Sequence, residues 1–190
     1  MLNREFDKLL NRINLHYDEN RPPGWNQNIN SRGEGMILMR NGHLFVLKEK
    51  NPPLLIEYGP RGDSPEGLTP ELVVSSSNSF PLPAVFDVTF YPLQSWEFSE
   101  RALRNFTDFS DMAVGPDNRI YLLSEESRTI GKIEGRLRPS ESKIDIRKVY
   151  HLPRKIKSAE GLVIGPDLVP YVGSDLKNYN KPNLYKLDAL

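Results

Sequence analysis

The chain has 190 residues, enough for one domain with a real core, and its 25 Lys and Arg balance 25 Asp and Glu. That balance excludes a global field that would recruit nucleic acid or an anionic membrane. Cysteine is absent, which excludes disulfides and thiolate chemistry, and 16 Pro with 13 Gly suit many turns and few long helices.

No apolar run approaches membrane-spanning length. Met1 to Leu15 is charged and lacks the apolar centre of a signal peptide, so no export signal is expected within it. Leu2, Phe6, Leu9, Leu10 and Ile13 stand close to helical spacing, which fits a short amphipathic helix over 2–13. Leu10 to Tyr17 reads alternatively as a strand able to complete a neighbouring sheet. Arg21-Pro22-Pro23-Gly24-Trp25 ends any regular element, because two prolines fix φ and remove donors.

From Glu34 the period becomes that of strands. Met36 to Met39 and His43 to Lys48 flank Asn41-Gly42, a pair suited to a type I′ turn with positive φ at both central residues. Asn51-Pro52-Pro53 turns the chain into Leu54 to Tyr58. Residues 59–83 read as a long surface excursion, with a short strand at Leu72 to Ser75. Ala84 to Tyr91 alternates, Phe86, Val88 and Phe90 against Asp87, Thr89 and Tyr91, as an outer fourth strand would.

The next stretch is written twice. Residues 110–125 and 160–175 align without a gap at an offset of 50, placing Gly115-Pro116-Asp117 on Gly165-Pro166-Asp167 and Tyr121 on Tyr171. Glu34 to Lys48 is a looser third copy. Strands are expected at Asp111–Val114, Arg119–Leu123, Thr129–Glu134 and Ile144–Tyr150, then from Glu160 through two equivalents to Asn183–Leu187, with no fourth strand. Short strands repeating at this spacing signify blades. The expected fold is all-β: a β-propeller of about three blades, part of a six-bladed ring, each blade a four-stranded antiparallel meander. The blades fall at about 31–95, 104–150 and 157–190 of a partial propeller spanning 31–190, and 1–30 is an N-terminal extension or the outer strand of a neighbouring blade. Three blades do not close a ring, so a fragment of a longer propeller, self-association through open sheet edges, or capping by the N-terminal segment is expected.

Three segments resemble the SdiA-regulated family of β-propellers, which is related to NHL-type and esterase-like phytase propellers. They are Gly33-Glu34-Gly35-Met36 with Leu47-Lys48-Glu49-Lys50-Asn51-Pro52; Asp108-Phe109-Ser110-Asp111-Met112-Ala113 with Leu123-Ser124-Glu125-Glu126-Ser127-Arg128; and Ala159-Glu160-Gly161-Leu162 with Tyr171-Val172-Gly173-Ser174-Asp175. The resemblance implies a six-bladed bacterial propeller, often exported or membrane-attached, with no defined activity. This chain is shorter than that pattern.

Glu34, Ser110 and Glu160 are equivalent, and each opens the first, axial strand of its blade. Two carboxylates and a hydroxyl would then face one mouth, where oxygen ligands suit calcium, with Glu34 and Glu160 as metal ligands. Alternatively both carboxylates accept backbone N–H groups of the next blade. The loops after the second strands bring Lys48, Glu49, Lys50, Ser124, Glu125, Glu126, Ser174 and Asp175 to the same mouth. With Asp108, Ser110 and Asp111 they form a ligand-binding rim. The plainer reading of these positions is turn chemistry with solvated Lys48 and Glu49. His16, His43 and His151 lie in unrelated contexts, which disfavours zinc, and His43 reads as a surface residue. Residues 136–157 carry eight basic side chains, read as a solvated face. No catalytic motif is present. The expected function is a non-catalytic module binding a small molecule or protein at the rim; the alternatives are a calcium-dependent esterase, lactonase or phytase-like hydrolase, and a truncated product without independent function.

Overall fold

A computed structural model describes residues 11–17, 22–25, 31–74, 79–176 and 183–190. The first sheet runs outward from β2 (Gly33–Leu38) through β3 (Leu44–Lys48) and β4 (Leu54–Gly59) to β5 (Val88–Phe98). The second runs from β6 (Asp111–Val114) through β7 (Ile120–Ser124) and β8 (Thr129–Ile133) to β10 (Lys148–His151). The third holds β11 (Ala159–Ile164), β12 (Pro170–Ser174) and β13 (Leu184–Lys186). Each is an antiparallel meander with its repeat-equivalent strand innermost. The molecule is all-β and forms a partial β-propeller.

Alternation within the middle strands builds three core clusters. Phe45 and Leu47 of β3 pack with Ile120 and Leu122 of β7, joining the first two sheets. Tyr121 and Leu123, on the other face of β7, pack with Leu162 and Val172 of the third. Leu44 and Val46 face outward from the stack and are covered by Ile13, Leu15, Trp25 and Phe80. Both faces of β3 and β7 are therefore buried, which is why these strands read as unbroken apolar runs.

The hairpin turns share one construction. Gly42, Asn118 and Leu168 donate from N–H to the carbonyls of Met39, Gly115 and Gly165 and take positive φ of 88°, 54° and 58°. Asn41 does not take positive φ, so Asn41-Gly42 forms a type I turn closed by a glycine bulge and not the expected type I′ turn. Only one residue per turn needs the left-handed region.

Several boundaries differ from expectation. The Leu10–Tyr17 strand shrinks to β1 (Ile13–Leu15), which adds in parallel to β5 of the first sheet; the 2–13 helix lies mostly outside the described residues. Phe86 is exposed and Asp87 has φ 65°, so the outer strand begins at Val88 and continues through Pro92 to Phe98. The Leu72–Ser75 strand reduces to a single bridge, Met39 to Val73, with Ser75 outside the described residues. Ile144–Tyr150 is two elements: β9 (Lys143–Ile144) crosses to pair with β5 of the first sheet, and only β10 completes the second. Ile144 and Ile146 are thereby drawn into the first core. A short helix, α1 (Glu100–Leu103), forms where Ser99 caps the Ala102 N–H at 3.1 Å. Among the described residues the third sheet has three strands, as expected.

Candidate functional site

The three inner strands lie side by side at the propeller axis. Gly35 permits this, since a Cβ there would stand 2.8 Å from Met112 Cγ and 2.9 Å from its N. At the next joint the equivalent residue, Asp111, accepts N–H groups from Met112 at 2.8 Å and Leu162 at 2.6 Å. Ser110 Oγ, buried, donates to the Ala159 carbonyl at 2.8 Å. Asp111 and Ser110 thus stitch the second sheet to the third.

Register slips by one residue between Gly33 and Gly35 and again between Ala159 and Gly161. The residues left unpaired are Glu34 and Glu160. A bulge re-aims the side chain it carries. Here both carboxylates reach one axial cavity of about 230 Å³, lined by Glu34, Glu49, Lys50, Asp108, Ser110, Glu125, Glu126 and Glu160. The equivalence of Glu34, Ser110 and Glu160 located this mouth. Glu126 lines it beside Glu125, both from the loop after the second strand.

Charge in the cavity is one-sided. Burial, then the Glu49 carboxylate, raise Glu34 above the ordinary Glu value, against a lowering pull from Lys50. Burial raises Glu160, followed by Glu125, Glu34, Asp108 and Asp175. Lys50 Nζ pairs with Glu49 Oε1 at 2.7 Å and reaches Glu126 Oε1 at 3.3 Å, bridging the first two sheets. Glu49 Oε2 is buried with no hydrogen-bond partner among the described residues. Among the described residues no backbone N–H donates to Glu34 or Glu160; Asp111 performs that role.

Other rim candidates are structural. Lys48 is fully buried, not solvated and not on the rim: its Nζ donates to the Lys50 carbonyl and, at 2.9 Å, to that of Pro52, and burial lowers its pKa. Ser124, also fully buried, donates to Asp108, which accepts the Glu126 N–H at 3.2 Å. Asp108 therefore shapes the turn and lines the cavity together. Ser174 is buried, its Oγ unpartnered among the described residues, and Asp175 is exposed; neither lines the cavity.

His43 is a correction of another kind. It is 3% exposed, with Nδ1 2.6 Å from Glu57 Oε1 and Nε2 3.3 Å from Asp63 Oδ2. Glu57, fully buried, accepts N–H groups of Glu66 at 3.0 Å and Gly67 at 2.9 Å. The pair fastens the 60–67 excursion to the first sheet. A hairpin signal alone places His43 at a turn; the loop that buries it arrives twenty residues later in the chain.

Among the described residues no three His, Cys, Asp or Glu side chains are grouped to hold a metal ion, and no helix is long and apolar enough to cross a membrane. No protein-family model matches the chain, and no curated protein matches it.

Proposed function

We propose that the chain is a non-catalytic propeller-type module that binds a ligand or protein group of positive charge at its axial mouth. The observation supporting this is the lining of that cavity: six carboxylates and one ammonium, with Glu34 and Glu160 aimed inward from bulges. Carboxylates whose pKa values rise through burial and mutual repulsion are stabilised by an entering cation. An ammonium or guanidinium group donates several hydrogen bonds and suits a cluster that lacks the grouping of a metal site. The resemblance to SdiA-regulated propellers agrees with such a module and adds no substrate. The calcium-dependent hydrolase shares this carboxylate lining, but among the described residues no three such side chains are grouped to hold a metal ion.

Thermal melting tests the reading. Spermidine and a lysine- and arginine-rich peptide are expected to raise Tm, since a ligand bound only by the folded state stabilises it. Glu34→Gln combined with Glu160→Gln should abolish the shift. Calcium chloride is the metal arm, and citrate the anionic control. Absence of a shift with either organic cation would overturn the proposal, as would an equal shift in the double variant.

A further inference from the structure

The two ends of the blade stack carry complementary halves of an interface that the chain makes twice internally. At the first joint Met112 of β6 is buried against the first sheet; at the second, Leu162 of β11 is buried against the second sheet. Each is 5% exposed. Their equivalent on the first inner strand is Met36, which is 58% exposed because no blade precedes it in the described structure. The receiving side behaves likewise. Leu55 lies opposite Leu47, Ile130 opposite Leu123, and Leu184 opposite Gly173. Leu55 and Ile130 are fully buried by the following blade, whereas Leu184 is 66% exposed and Val163 beside it 62%.

The bare patches also agree in extent. The N-terminal segment covers the outer part of the first sheet's free face through Ile13, Leu15 and Trp25, leaving Met36 on the inner strand uncovered. Among the described residues the third sheet has three strands, none of them an outer strand that would collide with that cover. A blade-type surface with a bare inner strand is what the third sheet fits, and the first sheet of a second copy supplies one.

We propose that two copies associate head to tail, the β11–β13 face of each seated on β2 of the other, closing a ring of about six blades, within the range propellers adopt. Both contacts are the same heterologous joint, and the rotation closes after two copies. This proposal does not depend on what the axial mouth binds.

Sedimentation velocity and light scattering at micromolar concentration read the outcome. The wild-type chain is expected at twice the monomer mass. Met36→Arg and Leu184→Arg, on opposite ends, should each halve that mass while retaining the strand circular-dichroism signal, since both side chains are exposed within one chain. Val163→Arg is the second variant for the same face as Leu184. A monomeric wild type overturns the proposal. So does a dimer that survives Met36→Arg, which would mean that third sheets pair with each other, and so does an open-ended polymer.

Discussion

The second and third sheets spell the same hairpin, yet their side chains live in different surroundings. Tyr121 and Leu123 are fully buried, and Ile130 beside them is 0% exposed. At the equivalent places stand Tyr171 and Gly173, half-buried, and Leu184, largely exposed. Ser124 Oγ bonds Asp108, while Ser174 Oγ has no partner among the described residues. The turn itself is the same in both, in its hydrogen bond and its left-handed residue. A repeat thus specifies its hairpin locally, whereas burial comes from whichever blade follows. The first sheet shows how far this goes: where the second has the part-exposed pair Lys132–Asp117 at 2.8 Å, it holds buried His43–Glu57 at 2.6 Å.

That last contrast predicts the largest effect. His43→Ala leaves the Glu57 carboxylate buried without its ring partner and should cost about 3–5 kcal/mol, whereas Lys132→Ala should cost about 0–1 kcal/mol. Urea unfolding of both variants tests this; equal costs would erase the distinction. The pair also carries a pH signature. The Glu57 hydrogen bond raises the His43 pKa above 6.5, against burial, with help from Asp63. The folded state then holds its proton more tightly than the unfolded state. Stability from His43 is fully present below 6.5 and is lost as pH rises through the higher folded value. Proton NMR of the imidazole and melts across this window should agree, and His43→Ala should flatten the melts.

Core truncation separates the two copies next. Ile130→Ala should cost about 2–5 kcal/mol, and Leu184→Ala, measured on dilute monomer, within about 0.5 kcal/mol. Comparable losses would mean that the third sheet's face is covered in solution. A smaller test exchanges the turn residues. Asn118→Leu should cost about 1 kcal/mol, because a branched side chain is disfavoured in the left-handed region. Leu168→Asn should recover less than that, since Leu168 also packs partly against the second core.

The smallest effect is expected at the mouth. Glu34→Gln and Glu160→Gln, each removing a repelled carboxylate, should stabilise the unliganded chain by less than about 1 kcal/mol. Both folded pKa values are raised above 4.5, so stability from these groups is lost as pH climbs from there through the folded values. Differential melts of variant and wild type should converge at acid pH.

Much of the site was legible. Glu34, Ser110 and Glu160 share one repeat position, and all three line the cavity. The rim was only partly legible, since Lys48, Ser124 and Ser174 share a position that is buried in all three sheets. Strand ends point to a mouth, but sequence spacing does not say whether a polar side chain turns out to the ligand or back to satisfy carbonyls. Lys48 turns back, and its ammonium donates to the Lys50 and Pro52 carbonyls.

What the amino-acid sequence determines by itself is the hairpin and its recurrence. Period-two patterning, the places of the turns and the offset of 50 act between neighbours in the chain, so they are visible without a partner. Tertiary structure alone decided which of two equivalent faces is covered, that β9 leaves its own sheet for the first, that His43 is enclosed, and that one-residue slips aim Glu34 and Glu160 into the axis. Each of these depends on contacts between segments far apart in the chain, whose energies no local pattern carries.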